Sequence, residues 1–302
     1  MTGLERNFRF YAGQATVRLR DEMHNLSEKT KFNIRNEATS IARDLIKEVG
    51  LNKNGSAKNI TAENIQSVVQ SWQERGLAVG TIQNKMTVFR QILSAAQNKI
   101  SISNAQLGIN SGRDVLNSAN VDKSCRLSAA QLLKIDQLSD KTIAGAIKLS
   151  AAYGLRRDES LRVVHALTLN HSVTVGDNKL NIKAGWGKGS RPRVFEMRDG
   201  GQTLRTVAQE VRGLKIKGRI ENFRNRFENV VKKLDIKPHG LRHAYIQDRY
   251  KDISNMTAPS AGGLKYAEMS DKQREIYHNA CKAISPEIGH TRESIIRTYV
   301  GK

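Results

Sequence analysis

A change of hydrophobic period near residue 170 limits what this chain can fold into more than any other feature. Up to residue 153, apolar side chains recur at helical spacing. Over residues 22–49 they are Leu26, Phe32, Ile34, Ile41 and Leu45. After Thr61, an N-cap with Asn64 three residues on, they are Ile65, Val68, Val69 and Trp72. After Thr81, taken as a further cap, they are Ile82, Met86, Val88, Phe89, Ile92 and Leu93. Ser128 and Thr142 are expected to start two more helices, the second ending at Tyr153-Gly154. From residue 170 the spacing shortens. Val173 with Val175, Leu180 with Ile182, and then Val194 read as short strands. Turns are expected at Gly176-Asp177-Asn178 and at Gly185-Trp186-Gly187-Lys188-Gly189. Helical spacing returns over residues 203–213 and 220–234 and through most of 240–299. The expected fold class is mainly α with a small antiparallel β-sheet.

Length and one polar stretch set the domains. A chain of 302 residues favours two. Residues 99–126 are rich in Ser, Asn and Gly and lack strong periodicity. The expectation is therefore a helical domain over 1–105, a linker over 106–125 and a second domain over 126–302. Residues 1–20, with Arg6, Arg9, Arg18 and Arg20, are either a flexible arm or a first helix.

Charge names the class of partner. There are 50 Lys and Arg against 29 Asp and Glu, a formal net charge of +21. With 38% hydrophobic residues the chain still has material for packed cores, so the charge does not signal disorder. Such an excess points to a polyanion, nucleic acid first, because neutralising phosphates releases counterions. No long apolar run or signal-peptide pattern is present, so no membrane is expected and the setting is taken as cytoplasmic. Cys125 and Cys281 lie far apart without metal-ligand spacing, so neither a disulfide framework nor a metal site is expected. No glycine-rich phosphate loop suggests ATP, and no cofactor is expected.

Five stretches carry chemistry. Tyr153-Gly154-Leu155-Arg156-Arg157-Asp158-Glu159 ends an apolar helix and presents Arg156 with Glu159 one turn away. Lys188 stands in a Gly-flanked turn, followed by Arg191 and Arg193. His239-Gly240-Leu241-Arg242-His243 follows Pro238 and reads as a helix N-terminus that aims donors and a positive dipole end outward. Ile288-Gly289-His290 is the fourth. Tyr299, nine residues after His290, is the fifth. Each alone reads as an ordinary solvated turn or helix boundary. Their joint order and spacing do not.

That order resembles the tyrosine recombinase (phage integrase) family. The family's sequence of groups is Arg, a hairpin Lys, His-x-x-Arg, His or Trp, then Tyr. Arg156 matches within Gly-x-Arg-x-x-Glu, with Glu159 in support. Lys188 matches within Gly-Lys-Gly, and His239 and Arg242 match His-x-x-Arg. His290 matches the Gly-His position, and Tyr299 matches by its interval. Residues about 20–100 resemble the family's helical core-binding domain more weakly. The resemblance implies cutting and rejoining of DNA through a 3′-phosphotyrosyl link, without metal or ATP. Two guanidiniums suit phosphate oxygens, and imidazoles exchange protons near neutral pH. Tyr299 is the implied nucleophile and Lys188 the implied donor to the departing 5′-oxygen. Tyr245, Tyr250, Tyr266 and Tyr277 lack the interval.

The resemblance further implies double-stranded DNA clamped between two domains, a tetramer on paired duplexes, a possible accessory DNA-bending protein and a mobile genetic element. Lys85, Arg90, Arg191, Arg193 and His243 are the expected DNA contacts. Two other readings stand beside it: a type IB topoisomerase-like relaxing enzyme, and a non-catalytic DNA-binding protein derived from an integrase. Residues 251–283 lengthen the usual connection between His243 and His290. They read as an insertion, with surface elaboration favoured over contact with DNA or a neighbouring subunit.

Overall fold

The computed structural model describes residues 1–22, 28–109, 121–187, 191–216 and 219–302. Its contacts divide the chain into two units, Met1–Val115 and Leu116–Lys302.

The first unit is helical: α1 (Gly3–Glu22), α2 (Glu28–Glu48), α3 (Ala62–Glu74) and α4 (Val79–Ala95). Of the two expectations for the N-terminus the helix holds, because Leu4, Phe8 and Ala12 are spaced to share one face and are fully buried. Phe8 packs against Phe89 with ring centres 5.8 Å apart. The Thr61 cap forms as expected: its hydroxyl accepts from the Asn64 N–H, and the Asn64 side chain accepts from the Thr61 N–H. Two expectations need correction, and one cannot be compared. Thr81 lies inside α4, whose N-cap is Ala78, without a side-chain cap. Phe32 faces solvent, 57% exposed, on the outer face of α2. Leu26 lies outside the described residues.

The second unit holds the period change. After α5 (Ala129–Asp136), α6 (Lys141–Tyr153) and α7 (Arg157–Thr168) come β1 (Thr174–Val175), β2 (Lys179–Ile182) and β3 (Arg193–Glu196). They form one antiparallel sheet in the order β1-β2-β3, with Thr174 opposite Leu180 and Ile182 opposite Arg193. Leu180, Ile182 and Phe195 turn inward and join the apolar cluster that also holds side chains of α6 and α7. Helices α8 (Gln202–Val211), α9 (Ile220–Lys233), α10 (Pro238–Ser254), α11 (Asp271–Glu287) and α12 (Arg297–Val300) complete the unit. Ser128 caps α5 as expected. Thr142 does not start α6; Asp140 does, its carboxylate accepting from the N–H groups of Thr142 and Ile143.

Residues 251–283 are not surface elaboration. Ala258, Met269, Tyr277, Ala280 and Cys281 are buried in one cluster with Ile288, Ile296 and Tyr299. The segment is apolar where it meets the C-terminal turn and charged where it meets solvent. It therefore reads as decoration by composition while packing as core. Among the described residues no helix is long and apolar enough to cross a membrane.

Candidate active site

The site starts from one buried carboxylate. Gly154 ends α6 in the left-handed conformation, φ 59°, and the chain turns so that Arg156 becomes the N-cap of α7. Glu159, one turn into α7, is fully buried. Its Oε2 accepts from the Arg156 N–H at 2.9 Å, and its Oε1 from Arg156 Nη1 at 2.9 Å. Arg193 reaches it from β3 with both prongs, at 3.0 and 2.8 Å. Burial alone would raise the Glu159 pKa, but the bonds and charge of Arg193, then those of Arg156, hold it down to about 2. Glu159 is thus ionised and shared by two guanidiniums. Arg193 Nε also donates to the Glu287 carbonyl at 2.9 Å, which ties the sheet to the turn before His290.

Helix α10 supplies the next groups. Pro238 occupies its first turn, as expected, and opens it beside the segment at residues 123–125. Arg242, 1% exposed, donates to the carbonyls of Gly154 and Ile288. Its Nε has no hydrogen-bond partner among the described residues. Burial and the nearby Arg156 charge lower its pKa to about 10, so it stays protonated at neutral pH. A buried cation set beside another, with a donor left over, is a site built to receive an anion.

Tyr299 lies in the midst of these groups. Its ring centre is 4.6 Å from that of His243, 5.7 Å from His239 and 6.4 Å from His290, and the Arg242 guanidinium carbon is 5.9 Å from it. His290 Nε2 stands 3.2 Å from Arg156 Nη2. A guanidinium only donates, so Nε2 accepts and the ring is the neutral Nδ1–H tautomer. Its pKa is lowered to about 4 by burial, then by Arg156, Arg242 and Arg193. His243 is lowered to about 4 by burial, then by His239 and Lys123. His239 is lowered by desolvation, then by Arg242 and Arg156. Neutral imidazoles around a phenol, with permanent cations behind them, can take a proton while a phosphate holds the cations.

Two family models divide the chain between them: residues 17–102 match the N-terminal domain of phage integrase, and residues 113–248 match integrase. The chain belongs to the phage integrase family of tyrosine recombinases. Family members carry out site-specific DNA recombination. Among solved structures, the Tn1549 transposon integrase in complex with circular intermediate DNA gives a TM-score of 0.54 at 16% identity, covering 96% of this chain and 95% of that one. A variant of that integrase in complex with transposon right end DNA also gives 0.54 at 16%, over 100% and 95%. At such identity the likeness establishes the fold. A search of curated proteins returned no significant match.

Against this recombinase fold the expected residues sort into three groups. Arg156, Glu159, His239, Arg242, His290 and Tyr299 converge. Lys188 lies outside the described residues. In the expected DNA-contact set most side chains already have partners inside the protein. Lys85 is 7% exposed; its ammonium bonds Glu37 at 2.7 Å and Ser40 at 3.0 Å, over the Trp72 ring. Arg90 donates to the Ile102 carbonyl and to Asn104. Arg193 serves Glu159, and His243 packs on Tyr299. Lys85, Arg90 and Arg193 thus satisfy internal acceptors, which periodicity cannot distinguish from solvated ones. Only Arg191, exposed and bonded to Thr291 Oγ1 at 3.1 Å, keeps an outward place. Reasoning from sequence also missed Gln247. It follows His239 and His243 at intervals of four on α10, so a helical-face plot would have found it.

The imidazoles set an acid limit. Their folded pKa values lie below the ordinary 6.5, so their neutral forms contribute stability above about 6.5 that is lost as pH falls toward about 4. The melting midpoint of the free protein is expected to fall through that window. His290→Gln should flatten part of the slope, which thermal scans across pH will measure. An unchanged slope would mean that these rings are not desolvated.

Proposed function

We propose that this chain cuts and rejoins DNA at specific sites through a 3′-phosphotyrosyl link to Tyr299, in the service of a mobile genetic element. The observation that carries this reading is the convergence of Arg156, Arg242, His239, His243 and His290 on one phenol. A phosphodiester in that space meets two permanent cations on its non-bridging oxygens. The Tyr299 oxygen attacks phosphorus and the bond to the 5′-oxygen breaks. The phenolic proton passes to a neutral imidazole beside the ring. Lys188, by family resemblance, protonates the leaving oxygen. In the reverse step a second 5′-hydroxyl attacks the phosphotyrosyl phosphorus and releases the phenol. One phosphoester replaces another each time, so no ATP is called for, and guanidiniums supply the charge that a metal otherwise brings.

Double-stranded DNA is the partner in this reading. The charge of +21 supports it, as does the DNA present in both Tn1549 integrase structures. Residues 1–105 act as the core-binding module. Four protomers join two duplexes, with an accessory bending protein where the site demands curvature.

The test is to map the adduct. The full chain would select its preferred duplex from a random pool, and that duplex, nicked beside the cut position, would trap the intermediate. Protease digestion and mass spectrometry should place the nucleotide on the peptide containing Tyr299. A nucleotide on Tyr245, Tyr250, Tyr266 or Tyr277, or no adduct at all, would overturn the assignment.

A further inference from the structure

Tyr299 sits in a helix too short to hold itself. α12 has four residues, so the Tyr299 carbonyl finds no donor one turn further on. It accepts instead from Ser260 Oγ at 3.0 Å and, at longer range, from Gln247 Nε2 at 3.5 Å. Both side chains are buried, Ser260 at 7% and Gln247 at 2% exposure. The two Gln247 N–H groups serve Asp122 Oδ1 at 2.8 Å and Ser260 Oγ at 3.2 Å, the second shared with the Tyr299 carbonyl, while the Gln247 oxygen accepts from Arg126 at 3.3 Å. The residues that follow are held as firmly. The Tyr277 hydroxyl donates to the Gly301 carbonyl at 2.6 Å. Gly301, at φ +85°, runs so close over the turn at Pro259–Ala261 that a Cβ there would stand 2.6 Å from the Ser260 nitrogen.

We propose that Ser260 and Gln247 are positioning residues for the nucleophile. They act through the Tyr299 backbone: fixing its carbonyl fixes where the ring lies between His243 and Arg242. Ser260 comes from the lengthened connection, Gln247 from the helix bearing His239 and Arg242, and Asp122 from the segment that enters the second unit. The nucleophile is therefore set by the same helix that carries the phosphate-binding arginine. Reactivity is steep in such placement, with a misplacement of about 1 Å costing roughly 100-fold. The proposal rests on the reading of Tyr299 as nucleophile.

Ser260→Ala and Gln247→Met test it in the full chain, on the nicked duplex selected from the random pool. Binding is read by gel shift and single-turnover cleavage at saturating protein, with Tyr299→Phe as control. Each variant should bind within about two-fold of wild type and cleave about 10-fold more slowly. The double variant should be little worse than the slower single one, since both act on one carbonyl. Wild-type cleavage by both variants overturns the proposal. So does a parallel loss of binding and cleavage in both, which marks a merely structural role. Adduct formation by Tyr299→Phe would sink the nucleophile reading itself, whatever the other variants do.

Discussion

Tyr299→Phe is expected to bind its DNA with unchanged affinity and to form no covalent complex. The substitution removes one oxygen and leaves the ring. Its packing against His243, its contact with Arg242 and its place in the apolar cluster with Ile288 and Ile296 all persist. What disappears is the attacking atom. Three of the other tyrosines of the second unit are ill suited to replace it. Tyr245 is bonded to Glu287 and pushed upward by burial and by that carboxylate. Burial pushes Tyr250 up to about 12. Tyr277 is raised by burial and spends its hydroxyl on the Gly301 carbonyl. Each is held protonated inside the core. Denaturing gels of the nicked duplex should therefore show a retarded band with wild type and with Tyr250→Phe, and none with Tyr299→Phe. Equal bands from wild type and Tyr299→Phe would remove this phenol from the chemistry.

Glu159→Gln should strongly destabilise the second unit. The carboxylate is fully buried and neutralises Arg156 and Arg193, whose side chains are 21% and 8% exposed. An amide of the same shape turns an N–H group toward a guanidinium and leaves two cations with little compensation. Removing one partner of a buried ion pair costs about 3–5 kcal/mol, and a domain of this size loses roughly 2–4 °C of melting midpoint per kcal/mol. A fall of roughly 10 °C is the expected result. The pH dependence carries the same signature at a lower window than the imidazoles. The folded pKa is depressed from 4.5 to about 2, so ionised Glu159 contributes stability above about 4.5 that is lost as pH falls toward 2. Wild type should lose stability over that window, and Glu159→Gln should be flatter there. A melting midpoint within 2 °C of wild type would mean that the two arginines find other counterions.

Period carried most of the fold. Helices with clean apolar faces and good caps, such as the one begun at Thr61, could be read directly, and so could the small sheet, because alternation cannot be mistaken for a 3.6 repeat over Leu180 and Ile182. The expected caps at Thr81 and Thr142 fail differently: α4 starts earlier, at Ala78, with no side-chain cap at all, whereas at Thr142 a neighbour wins the place. A hydroxyl near a helix start competes with neighbours whose fit depends on the incoming chain, and Asp140 outbid Thr142 by reaching two N–H groups. At the site, the motif residues were legible through their order. The partners of the cations were not. Whether Lys85 or Arg193 meets phosphate or a carboxylate depends on residues 48 and 34 positions away in sequence, Glu37 and Glu159, and no local pattern encodes that. The lengthened connection misled by its composition, since its glycines and charges suit a surface loop while Met269 and Tyr277 anchor it.

A one-turn helix has almost no intrinsic persistence, so the seat of Tyr299 is only as durable as the side chains of neighbouring segments that grip it. Loss of that grip would let the turn open on its own while the larger helices stay folded. Circular dichroism would hardly register that event. Amide hydrogen exchange at Tyr299 and Val300 would, and a preparation could look folded by every bulk measure yet be briefly disarmed.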